Sequence, residues 1–431
     1  MKYDVAIIGG GPAGYTAAFE AIDRGMSVIL FEHGLMGGTC LNRGCVPTKF
    51  LAHVAEYYSQ TEDMVSYGIE TSGKKINSDL LYKKKAETIE QLRCGLIQRM
   101  IQKGICIVDQ NAYIVQPNRI LAGKESYNVQ NVLIATGAVP VASIIDSAVT
   151  TDKILEMSRI PKSLKIIGGG VVAAEFAHIY NNLGTEVTMC IRGDRILRKF
   201  DKEISSSLSQ SFKKRGIIVS KNCSPEVMKE NNAEVILSAV GRMPNIENVF
   251  SKELGIEIKE GIVTDVEGRT NIRGIYAAGD VVSGSPQLAH TAMEQGRAVI
   301  RAIAGEKPSD RSSIVNCIYV NPEIATVGLS ENEAREQGKT VAVGKQIMST
   351  NARTVISTKE RGFIKIVADV DTRKIVGAQL MCERASDIVA ELALAIDRQL
   401  TVDELLYSVR PHPSFCEAIT EAAIVLRGKL S

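Results

Sequence analysis

Two copies of one short motif constrain this chain more than any other feature. Residues 3–14 read YDVAIIGGGPAG: an apolar run, then Gly9-x-Gly11-x-x-Gly14, then a helical pattern through Glu20 to Arg24. Residues 162–173 read KSLKIIGGGVVA: the same run, then Gly168-x-Gly170-x-x-Ala173 and a helical pattern through Tyr180, at an offset of 159 residues from Gly9 to Gly168. Each copy also closes alike, with VLIATGAVP at 132–140 and VILSAVGRMP at 235–244, both buried-strand patterns ending in a Gly turn. In a strand–Gly loop–helix unit the first glycine makes the tight turn, and the second lets the backbone approach a pyrophosphate. The third lets the helix pack on the strand, and the phosphates sit on the N–H groups at the helix start. One such match is weak; two with matching flanks predict two nucleotide-binding βαβ domains in tandem, an α/β chain with two Rossmann-like, three-layer domains.

Beyond the helix the two copies diverge. The second strand of the first copy, SVILFEH, ends in Glu32, 21 residues after Gly11, where an acid accepts hydrogen bonds from a ribose 2′-hydroxyl. The offset carries that position to Ile191, inside EVTMCIRGDRILRKF, where the acid is gone and Arg192 and Arg198 come after it. Two guanidinium forks suit a 2′-phosphate, so the second domain leans toward an NADP-type ligand; the competing reading makes both arginines ordinary surface residues. A third signal, GIYAAGDVV at 274–282, places Asp280 at a strand end ahead of a helical stretch from about Gln287 to Ile303. An acid there suits a ribose or ribityl chain with phosphate nearby.

Composition narrows the setting. A chain of 431 residues spans several domains, and 45% hydrophobic with 23% charged residues is ordinary for a soluble globular protein. A formal net charge of +2 argues against nucleic acid or anionic membrane as partner, and the runs Lys83-Lys84-Lys85 and Lys213-Lys214-Arg215 read as solvated helix faces. No apolar stretch reaches 18 residues, and the start MKYDVAIIGGG is too short for a signal peptide. Nine cysteines, an odd number scattered over a long chain, argue against a secreted disulfide scaffold, so the expected location is cytoplasmic.

Two of those cysteines stand apart. GGTCLNRGCVPTK (37–49) holds Cys40 and Cys45 with four residues between them, and Gly44 and Pro47 permit a distorted turn. The spacing makes a disulfide possible. A metal half-site and two unpaired thiols are the alternatives. No second pair at similar spacing exists among Cys94, Cys106, Cys190, Cys223, Cys317 and Cys382, so no metal site is expected and those six read as core or surface thiols.

In chain order, GGGPAG, GGTCLNRGCVPTK, IATGAVP, GGGVVAAEF, AVGRMPN, IYAAGD and RPHPSFCE resemble the pyridine nucleotide–disulfide oxidoreductases of the dihydrolipoamide dehydrogenase and glutathione reductase group. The resemblance implies FAD in the first domain, with Gly9, Gly11, Gly14, Glu32, Thr39, Lys49, Ala112, Thr136, Gly137, Asp280, Leu288 and Ala289 contributing. It implies NAD(P) in the second, at Gly168, Gly170, Glu175, Arg192, Arg198 and Gly241, and a Lys49–Glu175 ion pair beside the flavin. Cys40 and Cys45 would form a redox-active disulfide, Cys45 facing the flavin and Cys40 meeting substrate. His412, with Glu417 five residues on to orient it, would serve as the base in the partner's active site of a homodimer. His33, His53, His178 and His290 lack such a partner in sequence and read as structural or surface residues. The implied division is an FAD-binding domain at 1–145 and 271–312, a nucleotide domain at 146–270, and a C-terminal α+β dimerisation domain at 313–431.

Finer resemblance favours dihydrolipoamide dehydrogenases, through GGTCLNRGCVPTK and the segment from GAQLMCERASD to RPHPS. The implied partner is then a lipoyl-bearing protein of a 2-oxoacid dehydrogenase or glycine-cleavage-type complex, and a chain that starts at its first strand is expected to carry no lipoyl domain of its own. IRGDRILRKFD instead looks like the NADPH-binding stretch of glutathione reductase, so an NADPH-dependent reductase of glutathione-type or other small disulfides is the alternative. A non-enzymatic flavoprotein subunit is disfavoured by the intact Cys40, Cys45, Lys49, Glu175 and His412. One departure from the family pattern stands out: only twelve residues, KNCSPEVMKENN, join GIIVS (216–220) to AEVILSAVG (233–241), where the family carries extra strands. That puts the outer wall of the second domain in doubt.

Overall fold

A computed structural model describes residues 2–70, 73–143, 145–230, 232–307, 313–357 and 362–430. The first glycine motif sits in a seven-stranded sheet. Its parallel part runs, in spatial order, Cys106–Val108, Val28–Phe31, Lys2–Ile8, Glu125–Ile134 and Ile275–Ala277. An antiparallel hairpin, Ala112–Gln116 with Arg119–Ala122, hooks onto the start of Glu125–Ile134. Strand alternation sorts the core into two layers. Val5, Ile7, Leu30 and Leu133 pack against Ala17 and Ala18 of helix Pro12–Asp23 and Val299 and Ile300 of helix Ala289–Ile303. Ala6, Ile8, Ile29, Phe31 and Ile134 face the other way, onto Ile114 and Ile120 of the hairpin and Ile262 and Val281.

The second motif builds a five-stranded sheet, parallel throughout, in the order Ile218–Ser220, Glu186–Cys190, Ser163–Ile167, Val235–Ser238, Val149–Thr150. Val28–Phe31 and Val235–Ser238 are buried along their whole length, as parallel strands covered on both faces require. One face carries a large core: Leu164, Ile166, Met189 and Leu237 meet Ala174, Phe176 and Ala177 of helix Val171–Asn182. The other face is thin. No hairpin stands here among the described residues; Met228 of helix Pro225–Lys229, with Ile145, covers Ile167, Cys190 and Ile236. Lys165, 2% exposed, reaches through this layer and donates to the carbonyls of Val227 (2.8 Å) and Glu230 (2.7 Å), satisfying the end of that helix.

The closing segments of the two motifs pair with each other, Ala138–Pro140 antiparallel to Arg242–Pro244, and so tie the two sheets together. The last third of the chain forms an antiparallel sheet in the order Val315–Ile318, Ile324–Gly328, Ile375–Met381, Phe363–Asp369, Val341–Ile347. Helices Ala385–Asp397 and Glu417–Lys429 pack on it through Val389, Leu392, Ile419 and Leu426. No helix among the described residues is long and apolar enough to cross a membrane.

Candidate active site

Cys40 and Cys45 are bonded as a disulfide, with Cα atoms 4.6 Å apart. Cys40 lies in helix Gly38–Arg43 and Cys45 opens helix Cys45–Asp63, so the chain breaks at Gly44 alone. Pro47 makes no turn, contrary to expectation. It sits in the first turn of the longer helix, where its missing N–H is no loss. The disulfide segment is seated on the first glycine loop. Gly37 N–H donates to Gly10 O at 2.9 Å, and a Cβ on Gly38 would stand 2.8 Å from Gly11 Cα, so only glycine allows this approach. Asn42, which carried no motif signal in the sequence, secures the seat: its amide nitrogen donates to the carbonyls of Leu35 (3.1 Å), Met36 (3.0 Å) and Gly38 (2.9 Å). Arg93 donates to its amide oxygen at 3.0 Å.

Lys49 lies one turn beyond Cys45 on the same helix face. Its ammonium meets both carboxylate oxygens of Glu175, at 2.9 and 3.2 Å. Glu175 is 4% exposed, comes from the helix of the second motif, and also accepts from Tyr319 N–H at 3.0 Å. The Lys49 ammonium sits 4.3 Å from the Tyr319 ring centroid. One ion pair thus joins the disulfide helix, the second nucleotide domain and the C-terminal sheet. Tyr319 carried no signal in the sequence because its role is a backbone N–H and a ring face.

The remaining first-domain residues line the ends of the parallel strands. Glu32 accepts from Gly10 N–H (2.8 Å) and Gly34 N–H (2.7 Å). Thr136 donates to Asn245 O at 2.6 Å, and Gly137 comes next, at the bend toward the paired closing strands. Ala112 is buried at the start of the hairpin. Asp280 lies just past strand Ile275–Ala277; burial pushes its carboxyl above the ordinary value, opposed by the Arg242 guanidinium. Leu288 is the extended residue before helix Ala289–Ile303. Arg242, also missed in sequence although it sits in GRMPN, pairs with Asp152 at 2.7 Å and donates to Ala138 O (2.8 Å) and Thr39 Oγ1 (3.4 Å).

In the second domain a Cβ on Gly169 would meet Ile191 Cγ2, as one on Gly10 would meet Glu32 Cβ, so the three-dimensional fold pairs Ile191 with Glu32 as the offset did. Leu197 N–H donates to Gly169 O at 2.7 Å and holds the 191–198 loop on the glycine loop. Arg192 and Arg198 are exposed there, while Arg195 turns inward onto Phe200 O and Arg198 O. Gly241 lies just past strand Val235–Ser238.

His412 Nδ1 lies 2.7 Å from Glu417 Oε1, and Ser414 N–H donates to the other carboxylate oxygen at 2.7 Å. The Ser414 N–H first, and His412 second, hold the Glu417 carboxyl below its ordinary value. The His412 side chain is 75% exposed, and no hydrogen bond within one chain links it to either cysteine. Three other histidines find local partners: His178 with Asn182, His290 with Val315 O, His53 against the Tyr57 ring. One basic run departs from expectation. Lys83 and Lys84 are exposed, but Lys85 is buried, donates to Leu155 O, and has its ammonium pKa lowered by that burial.

Both glycine loops fit a dinucleotide. Helices Pro12–Asp23 and Val171–Asn182 start without a side-chain cap, so their first N–H groups are left for a ligand. A Cβ at Gly170 would enter open space in front of that start. A disulfide seated on one such loop, in a chain that carries two, is the layout of a nucleotide-dependent disulfide oxidoreductase. The model of the pyridine nucleotide-disulphide oxidoreductase family matches residues 3–296, and that of the family's dimerisation domain matches 314–423, so the chain belongs to this family, which implies FAD and NAD(P). Among its relatives, a dihydrolipoyl dehydrogenase of Bacillus subtilis is 33% identical over 468 residues, covering 99% of this chain and 98% of the relative. One of Mycoplasma pneumoniae is 31% identical, with 98% of each covered. Among solved structures, LpdA of Mycobacterium tuberculosis superposes with a TM-score of 0.90 at 25% identity over 98% of this chain and 99% of that one. The HOCl-induced flavoprotein disulfide reductase RclA of Escherichia coli gives 0.88 at 25%, over 98% and 100%.

Proposed function

We propose that the protein is a dihydrolipoyl dehydrogenase, a homodimer that oxidises a protein-bound dihydrolipoamide with NAD(P)+. The observation that carries this reading is the Cys40–Cys45 disulfide at the start of a 19-residue helix, one turn from the half-buried Lys49 that pairs with buried Glu175. A dithiol substrate attacks Cys40 Sγ as its thiolate, forming a mixed disulfide and releasing Cys45 as a thiolate. The positive helix start and the Lys49 ammonium both favour that charge. His412 of the partner subunit takes the thiol proton at Nε2, while Glu417 of the partner subunit holds Nδ1. The second substrate thiolate then displaces Cys40 and closes the cyclic disulfide. Bound FAD and nicotinamide would carry the electron pair from the dithiol to NAD(P)+.

FAD is assigned to residues Gly9, Gly11, Gly14, Glu32, Thr39, Lys49, Ala112, Thr136, Gly137, Asp280, Leu288 and Ala289, and NAD(P) to Gly168, Gly170, Glu175 and Gly241. Exposed Arg192 and Arg198 beside the Gly168 loop support a preference for the 2′-phosphate of NADP. The domain reading is FAD-binding at 1–145 and 271–312, nucleotide-binding at 146–270 and dimer-forming at 313–431. A cytoplasmic location and a lipoyl-bearing partner of a 2-oxoacid dehydrogenase or glycine-cleavage-type complex accompany it. The same arginines and the likeness to a disulfide reductase support a second reading, NADPH-driven reduction of a small disulfide of the glutathione type. Steady-state rates with dihydrolipoamide and with glutathione disulfide, each with both dinucleotides, decide between them. Absence of turnover with dihydrolipoamide refutes the first.

A further inference from the structure

The thin face of the second nucleotide domain holds two free thiols that the reaction does not use. Cys190 ends strand Glu186–Cys190 and is 2% exposed; Cys223 lies in the short connection that replaces a hairpin, is half-buried, and packs into the same small cluster. The ladder explains the meeting. Cys190 pairs across from Ser220, and the chain then turns through Asn222, whose φ is +52°, so that Cys223 Sγ donates back to Ser220 O at 3.2 Å. The Cys223 side chain thereby packs against the small cluster that holds Cys190, just beyond the end of the ladder. Two backbone bonds lock this turn to the nucleotide loop: Cys223 N–H donates to Ile191 O and Asn222 N–H to Gly193 O, both at 3.0 Å. Ile191 in turn packs on Gly169, and Arg192 is the next residue along the loop.

We propose that Cys190 and Cys223 form a second redox couple, a reversible disulfide that closes in response to a low-molecular-weight disulfide and shifts the loop carrying Arg192. Cys223, the more exposed thiol, enters first: as a thiolate it attacks the disulfide RSSR, forming Cys223–S–S–R and releasing RS⁻. Burial, and then the neighbouring Cys223, push the Cys190 thiol up to about 11, so Cys190 is a poor first nucleophile. It is instead the resolving thiol. After losing its proton to solvent it attacks the Cys223 sulfur, held beside it, and expels the second RS⁻. Two protein thiols give up two electrons and two protons, and RSSR becomes two RSH. Closing the bond draws the end of strand Glu186–Cys190 toward the 221–223 turn, and Ile191, bonded to both, moves the edge of the dinucleotide site.

The test treats the FAD-loaded enzyme with glutathione disulfide, blocks remaining thiols with N-ethylmaleimide, and maps tryptic peptides by mass. The expected product joins the Cys190 and Cys223 peptides, is reversed by dithiothreitol, and is absent from Cys223→Ser protein. Cys40–Cys45 is already a disulfide at the outset and adds nothing to the loss of two of the seven free thiols. Dinucleotide affinity, measured by titration on treated and untreated enzyme, should differ by about fivefold or more, and not at all in Cys223→Ser. Both thiols recovered as maleimide adducts, or a glutathione adduct persisting on Cys223 beside a free Cys190, overturns the couple. A cross-link with unchanged affinity overturns its effect on the loop. The mass readout does not depend on which substrate the enzyme oxidises.

Discussion

Asn42→Ala tests whether the disulfide is held by the glycine loop. The Asn42 amide nitrogen has two hydrogens for three carbonyls, so it supplies about two bonds' worth of contact, each contributing about 1 kcal/mol. Its oxygen accepts from the Arg93 guanidinium at 3.0 Å, a charge-assisted bond contributing about 1.5–3 kcal/mol at most. Arg93 also pairs with Glu90, and Asn42 is only half-buried, so water replaces part of this. A net loss of about 2–3 kcal/mol results, which lowers the melting temperature of the nucleotide-binding unit by about 5–10 °C. Arg93→Ala removes the bond to Asn42 together with the exposed Glu90 pair, which adds little, and should lose about 1 kcal/mol, with a coupling of similar size in the double variant. The assay is thermal unfolding by circular dichroism of the four proteins in the double-mutant cycle, with kcat/KM for a dithiol measured alongside. A loosened disulfide helix should lower kcat/KM by about tenfold. If Asn42→Ala melts within about 1 °C of the parent and keeps its kcat/KM, the seating argument is wrong.

Three further outcomes are set by the same geometry. A Cβ on Gly14 would stand 1.9 Å from Gly9 O, so Gly14→Ala should spread strand and helix and yield protein without bound flavin, read from its absorbance; a yellow, fully loaded variant contradicts this. Arg192→Ala combined with Arg198→Ala should weaken NADP+ by roughly tenfold to a hundredfold and NAD+ little, and an equal effect on both, seen by titration, ends the 2′-phosphate assignment. Glu417 has its folded pKa depressed by the Ser414 N–H and by His412, so its contribution to stability is present above the unfolded value near ~4.3 and is lost as pH falls through the folded one. The difference in melting temperature between the parent and Glu417→Gln should therefore be steady from neutral pH down to about 5 and close below about 4; a difference independent of pH contradicts the dyad.

The glycine spacing, the strand patterns and the 159-residue offset were enough, from sequence, to establish two nucleotide folds in tandem and the break in the acid position at Ile191. These are local signals: a pyrophosphate loop needs its glycines at fixed positions, and a parallel strand buried on both faces is apolar along its length. The helices after the two glycine loops were readable for the same reason, from their patterns through Arg24 and Tyr180. Long-range geometry left no such local trace. The Lys49–Glu175 pair, expected only through the family resemblance, spans 126 residues and closes only where two glycine-loop domains meet Tyr319, just past strand Val315–Ile318. Lys85 belongs to a basic run that reads as solvated, yet packing against the Thr151–Glu156 helix buries it, because burial depends on what lies opposite rather than on the neighbours in sequence. The shortness of KNCSPEVMKENN was legible, but its consequence was not. Tertiary structure alone decides that this short connection leaves one thin helix and Ile145 over the sheet, with Lys165 capping that helix from below and Cys223 brought to the Cys190 cluster, since side chains far apart in the chain meet only where the sheet register and the turn direct them.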